Sequence, residues 1–388
     1  MMNKERGVKK LLALVISFVI ITGAAYAGDN QSARYIRLLS RNTASDSIDS
    51  AYFNPAGAAF LEEGVHVQLN GQTVTLKYSH ELNGESYSMF NWVPFVPSAY
   101  VGYSDGTWAL FAGYSIPQGG GSLEWDSAKL GGMGTFTDIS LEAESSTHML
   151  SIGGSYAFTS AIAVGARFDV SIAAAKYKAN LRLPRARGGG EAELKKSGTG
   201  FGGAVGIHVH PNEEINASLT VESTQKIELA KKSSSGAAAT SSALLTMAPK
   251  KADTPWVIRT GFSYTFPFNL EIPVSLKYSF WKSLDEDKNR NELVAAVGFR
   301  YWLKEQLEIS LGGSFANADK QKDELDSTFL DPELASLTLG GGIGWEIFDN
   351  FNLDIGVLYP IYFQADGKVY KNLSKQVVDI GVGVGYVF

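Results

Sequence analysis

The chain has 388 residues, 45% of them hydrophobic, 12% aromatic and 19% charged, with a formal net charge of −6 at pH 7. That balance excludes a disordered or collagen-like polymer, and the absence of cysteine excludes disulfides, thiolate metal sites and a lipid-modified N-terminal Cys. Five histidines leave metal chemistry thin, so neither a metal nor a cofactor is expected.

Residues 1–27 read as a secretory signal. Lys4, Arg6, Lys9 and Lys10 precede an apolar run from Leu11 to Ile21, and Ala25-Tyr26-Ala27 supplies a small-x-small cleavage site. The rest of the chain carries 30 Lys and Arg against 39 Asp and Glu, and an exported acidic product is a poor partner for nucleic acid. Beyond Gly28 no run of 18 apolar residues occurs, which excludes a membrane-crossing helix. A soluble periplasmic protein, a secreted one and an outer-membrane β-barrel remain.

Gly28 to Glu63 carry no strand pattern; they are polar with scattered Leu and Ile, broken by Asn54-Pro55-Ala56-Gly57. They read either as a loose tail or as a hatch filling the lumen of a wide barrel. From Gly64 onward a period of two dominates. Ile162, Val164, Ala166, Phe168, Val170 and Ile172 alternate with Arg167, Asp169 and Ser171, and Trp256 to Phe266 and Leu270 to Phe280 behave alike. At the C-terminus, Val378, Ile380, Val382, Val384, Tyr386 and Phe388 face one way, with Gly381, Gly383 and Gly385 on the other. A soluble sandwich would usually carry Lys, Glu and Thr on that second face.

The alternation predicts an all-β fold: a transmembrane antiparallel barrel of about fourteen strands, from 64–79 to 375–388, an even number as expected of a single-chain outer-membrane barrel. Tight turns at 104–107, 158–161, 211–214, 267–269, 304–306 and 348–350 define the periplasmic end. Longer loops are expected near 80–94, 118–146, 183–191, 230–254, 282–290, 318–334 and 365–374 at the other end. Closure is required physically, because an open edge would leave unpaired N–H and C=O groups in lipid.

Asp46-Ser47-Ile48-Asp49-Ser50-Ala51-Tyr52-Phe53-Asn54-Pro55-Ala56-Gly57, followed by a strand opening Gly64-Val65-His66-Val67, resembles the hatch-to-barrel junction of the FadL/TodX family. So do Thr254-Pro255-Trp256, Tyr278-Ser279-Phe280-Trp281-Lys282-Ser283-Leu284 and Leu330-Asp331-Pro332-Glu333. The C-terminal Gly385-Tyr386-Val387-Phe388 is similar to the aromatic signal read by the barrel-assembly machinery. One departure stands out: the family's Ser/Gly-rich hatch start is replaced by Gln31-Ser32-Ala33-Arg34-Tyr35-Ile36-Arg37-Leu38-Leu39.

The resemblance implies passive uptake of long-chain fatty acids or other hydrophobic molecules across a bacterial outer membrane. Ligand would be caught among extracellular loops, pass to a pocket beside the hatch, and leave sideways where the third strand kinks. Candidate capture residues are Phe90, Trp92, Val93 and Phe95, with Ser242-Ala243-Leu244-Leu245-Thr246-Met247 a second apolar stretch. Pro117 and Gly119 would end the third strand and allow a lateral opening. Arg167, Arg259, Lys277 and Arg300 point inward and could meet a carboxylate, but Asp169, Glu222, Asp354 and Asp379 also point inward and would satisfy most of them.

Weaker signals fall away. Gly198-Thr199-Gly200-Phe201-Gly202-Gly203 fits a G-x-G-x-x-G pattern but lies inside a strand, which excludes a phosphate loop. His208 and His210 lack a third ligand and read as a solvated pair. No G-x-S-x-G elbow occurs, and a Ser–His pair around His148 is the one remote enzymatic reading. The leading expectation is therefore a monomeric, non-enzymatic, hatch-filled transporter of apolar solutes in contact with outer-membrane lipid and lipopolysaccharide. A general diffusion porin for polar solutes is the alternative.

Overall fold

A computed structural model describes residues 28–126, 138–182, 190–284, 291–317, 325 and 331–388; the signal segment lies outside them. The strands are β1 (Gly64–Leu82), β2 (Glu85–Ser104), β3 (Trp108–Asp126), β4 (Asp138–Thr159), β5 (Ile162–Arg182), β6 (Gly190–Asn212), β7 (Ile215–Glu222) and β8 (Ala230–Gly236). They continue with β9 (Val257–Phe266), β10 (Leu270–Ser279), β11 (Glu292–Lys304), β12 (Leu307–Ala316), β13 (Ser336–Phe348), β14 (Phe351–Tyr362) and β15 (Lys371–Val387). Helices α1 (Ala33–Leu38) and α2 (Ser50–Phe53) and a 3₁₀ turn (Pro55–Phe60) precede β1, and α3 (Ala238–Met247) comes after β8.

Every strand pairs antiparallel with its sequence neighbour, except that β7 passes directly to β9 while β8 pairs only with the upper part of β6. β1 pairs with β15, from His66↔Val387 to Glu81↔Lys371, closing a fourteen-strand ring. Apolar side chains such as Leu69, Phe168, Phe201, Leu311 and Val382 face outward and are exposed, as lipid contact requires.

Four expectations need correction. The loop expected at 80–94 is strand: Asn83 and Gly84 both take positive φ, 54° and 84°, and turn β1 into β2 in two residues. Such an Asn-Gly pair suits the right-handed twist of both strands, so nothing is left over for a loop. Pro117 does not end β3; the strand crosses it on a bulge between Ser115 and Gln118 and runs on to Asp126. The strand expected over 214–229 stops at Glu222, and the loop expected over 230–254 carries β8 and α3. Residues 127–137, 183–189, 285–290 and most of 318–330, where further loops were expected, lie outside the described residues.

The glycine face of the last strands now has a cause. Residues 28–61 pack against inward-facing residues of strands from opposite sides of the ring, with α1 against β12 to β15 and the 3₁₀ turn against β4 to β6. A Cβ at Gly381 would overlap Ile36, and one at Gly356 would lie 2.9 Å from the Arg37 backbone nitrogen. Side chains there would expel the helix.

Candidate functional site

α1 begins where the Ser32 hydroxyl accepts a hydrogen bond from Tyr35 N–H and ends at Leu39, which is left-handed at φ 58°. Arg37, fully buried, pairs with Asp354 at 2.9 Å and with Glu308, and also donates to Ser310. Arg34 pairs with Asp354 at 2.9 Å and Asp46 at 3.2 Å, and Arg41 with Asp46 at 2.8 Å and Asp49 at 2.6 Å. The segment that departs from the family's usual start is thus a charged clamp onto the wall.

Asn54, Pro55, Ala56 and Gly57 form the other anchor. Asn54 Oδ1 accepts from Ala56 N–H and its Nδ2 donates to Ile207 O at 3.3 Å. A Cβ at Gly165 would lie 2.5 Å from Pro55 C and Ala56 N, so only bare backbone on β5 admits the turn.

Above these anchors lies a cavity of about 1100 Å³. Asp29, Tyr35 and Tyr52 line it from the N-terminal segment, Arg167, Arg259 and Lys277 from the wall, and Leu229, Ala248, Leu334 and Tyr362 are among its apolar lining. All four cations predicted to point inward are paired. Arg167 meets Asp169 at 3.1 Å, Arg259 meets Asp29 at 2.7 Å and Glu222, and Lys277 meets Asp29 at 3.2 Å. Arg300 does not line the cavity; it meets Asp46 at 2.6 Å, Glu271 at 3.4 Å and Glu308.

Burial alone would push the Asp29 carboxyl up, but the Arg259 and Lys277 charges outweigh it and hold it well below the usual carboxylate range. Asp46 behaves alike, with burial overcome by Arg41, Arg300 and Arg34. Burial, reinforced by the Asp29 charge, raises the Tyr35 and Tyr52 phenols, so both stay neutral. With Arg167, Arg259 and Lys277 spent on internal carboxylates, the part of the cavity they line offers an apolar molecule more than a free anion.

The wall opens at β3. β2 and β3 pair only from Ala99↔Tyr114 to Ser104↔Ala109. Above that, Ile116 finds its partner in the N-terminal segment: its N–H donates to Gln31 Oε1 and its C=O accepts from Gln31 Nε2, each at 3.0 Å. The cavity reaches Pro117, Gln118 and Gly119 beside this separation. Asn91 on β2 still spans the gap to Ser122 on β3, its Nδ2 3.1 Å from Oγ.

Phe90, Trp92 and Phe95, expected in a capture loop, stand on the outer face of β2, 65%, 59% and 64% exposed, while Val93 faces inward and is buried. They belong to the outer surface beside β3: Phe90 and Trp92 alternate outward, and a bulge opposite Gln72 to Val74 turns Phe95 to the same face. In α3, Leu244 is buried and Leu245 exposed. His208 is not solvated: it is buried, its Nε2 3.1 Å from Asn216 Oδ1, and with His210 it packs under Phe60. His148 has Ser146 Oγ at 3.0 Å and Tyr114 OH at 2.7 Å. Among the described residues no group of His, Asp or Glu is placed to hold a metal ion. Sequence reading missed Asp29, Gln31, Tyr35 and Tyr52 as lining or gating residues; the Asn83-Gly84 turn was the available signal for β2.

No family model and no curated protein sequence matches this chain. Solved structures do. A Pseudomonas aeruginosa FadL homologue is 12% identical, covering 95% of this chain and 100% of its own, with a TM-score of 0.67. The P. putida toluene transporter TodX is 14% identical over 96% of this chain and 99% of its own, TM-score 0.67, and the Ralstonia pickettii toluene transporter TbuX is 14% identical over the same shares, TM-score 0.64. At these identities the likeness speaks for architecture, and on that ground the chain has the FadL/TodX-type barrel fold.

Proposed function

We propose that the protein is an outer-membrane channel for passive uptake of hydrophobic molecules, with residues 28–63 as its hatch. The carrying observation is the cavity above that segment, where Arg167, Arg259 and Lys277 are spent on internal carboxylates and which reaches the wall where β2 and β3 part. An apolar solute gains nothing from a water-filled pore and needs a sheltered path past the polar outer surface. Lateral release at Pro117 and Gly119 into the membrane supplies one, and the solved neighbours include toluene transporters. Long-chain fatty acid is the ligand class favoured by the sequence resemblance, and aromatic hydrocarbon the one favoured by these neighbours. The channel is taken as a monomer without enzymatic activity.

Single-channel conductance in a planar bilayer tests this. The full chain should be silent and a variant lacking residues 28–63 should conduct. A large, steady current from the full chain would replace the reading with a diffusion porin. Binding of a fatty acid and of an alkylbenzene to the silent protein then separates the two ligand classes.

A further inference from the structure

β7 is only eight residues long, and beyond Glu222 the chain leaves the wall. β6 and β7 pair up to Ala204↔Glu222, with one further bond from Ser223 N–H to Gly203 O. β6 pairs again only at Ser197↔Ala230, with β8. Six residues of rise separate Gly203 from Ser197, about 20 Å of strand edge at the usual spacing.

Over that length the chain is displaced inward. A Cβ at Gly200 would lie 2.5 Å from Ile227 Cγ1, and one at Gly202 would lie 2.5 Å from Gln225 Cγ, so residues 225–229 rest on the inner face of β6 rather than beside it. They form a ribbon with residues 250–254: Gln225 and Thr254 exchange backbone hydrogen bonds, Ala252 N–H donates to Ile227 O, and Leu229 N–H to Lys250 O. Asp253 Oδ1 accepts from Ile227 N–H at 2.7 Å. Ile227 is fully buried against Ala173 and Leu229. Lys196 holds the far end of the ribbon through Ala248 O, at 3.5 Å, and Pro249 O.

The edge left behind is exposed to the membrane. Gly203 bonds towards β7 and His210 towards β5, so alternation aims the N–H and C=O of Thr199 and Phe201 at the vacated side, where among the described residues no strand pairs with them. Phe201 itself is 61% exposed and faces outward beside Phe168. Bare backbone in hydrocarbon is costly, and a continuous wall would have avoided that cost. The cavity meets this edge from within at Gly203, Glu222, Ser223 and Gln225.

We propose a second lateral portal between β6 and the 225–229/250–254 ribbon, which acts as its shutter and lets a hydrophobic solute pass between the cavity and the outer leaflet independently of the β2–β3 gap. This rests on the reading of the cavity as a transport site. The shutter is held to β6 by the packing of Ile227 on Gly198 and Gly200, with no ladder of main-chain bonds between Ser223 and Ala230, so it can swing without breaking a sheet.

The chain has no cysteine, so engineered thiols are the only ones present. Gly202→Cys with Gln225→Cys would staple the shutter, since the atoms a Cβ at Gly202 meets belong to the Gln225 side chain itself, and Asn91→Cys with Ser122→Cys would staple the first gap. Uptake of tritiated palmitate and of ethylbenzene by cells whose lipopolysaccharide-covered outer membrane carries the chain, less uptake by cells without it, is compared oxidised and reduced. The oxidised shutter staple should at least halve uptake of the accepted probe, dithiothreitol should restore it, and both staples together should abolish it. Full uptake through the oxidised shutter staple, with the β2–β3 staple alone abolishing it, overturns the second portal. Unaltered uptake with both staples closed overturns lateral exit altogether, and no uptake of either probe by the unmodified chain overturns the transport reading beneath it. Should the stapled chain fail to fold, photolabelling of the unmodified chain by diazirine-bearing palmitate decides. Label at Thr199 and Phe201 above that at lipid-facing Leu311 supports the portal, and equal label overturns it.

Discussion

Arg37 concentrates the cost of seating the N-terminal segment in one guanidinium. It is fully buried and neutralises Glu308 and Asp354 together. Removing one partner of a buried ion pair typically costs about 3–5 kcal/mol, because the charge left behind is neither solvated nor paired. Arg37→Met should therefore loosen the segment, seen as flickering conductance in a bilayer where the unaltered chain is silent. A variant as silent as its parent would show that the clamp is dispensable. Acid should act on the same contacts. Asp29 and Asp46 lie below their ordinary value of 3.8, so their stabilisation is complete above it and is lost only as pH falls below it. Conductance measured from pH 7 downward should stay closed to about pH 4, at the top of the ordinary carboxylate range, and open only in stronger acid. Opening near pH 6 would assign the control to another group.

At the scale of elements, the bend in β3 and the start of the N-terminal segment are one unit. Gln31 supplies both the acceptor and the donor that Ile116 loses when β3 leaves β2. Leaving a buried backbone group without a partner costs about 1–3 kcal/mol, so Gln31→Ala should free β3 locally. Amide exchange at Ile116 should rise at least tenfold while the β1–β15 seam stays protected; unchanged exchange would mean that the bend holds itself. The bend was only half legible. Pro117 and the following glycines announce a break in pairing, yet nothing in their spacing says that a glutamine 85 residues earlier completes it. β2 was misread for the opposite reason: Phe90 to Val96 is too apolar for a water-exposed loop, and membrane-facing strand residues have that same composition. The inward ribbon at 225–229 left a trace in Gly198, Gly200 and Gly202, whose cause is the close approach of ribbon backbone at the first two and of the Gln225 side chain at the third.

For the molecule as a whole, period two and alternating turn lengths made the closed ring readable, since both follow from a wall that meets lipid outside and small or polar groups inside. The cavity was not readable, because it is assembled from residues as distant as Asp29 and Val377. The β1–β15 seam that closes the ring ends at Phe388. Phe388 N–H donates to Val65 O at 2.9 Å and Val65 N–H to Phe388 O at 3.2 Å, while Tyr386 packs on Phe388 at 4.5 Å between ring centroids and on Phe351 at 6.5 Å. These contacts join the last strand to the first at the end of the ring that carries the short turns. Deleting Phe388 removes both seam bonds and the terminal ring together, whereas Phe388→Ala keeps the backbone bonds and loses only the ring. If the ring serves as an assembly signal, both variants should lower the folded fraction recovered from outer membranes several-fold, measured by heat-modifiable electrophoretic mobility. If only the deletion does so, the residue acts through the seam it closes, and its aromatic side chain is lipid-facing surface and no more.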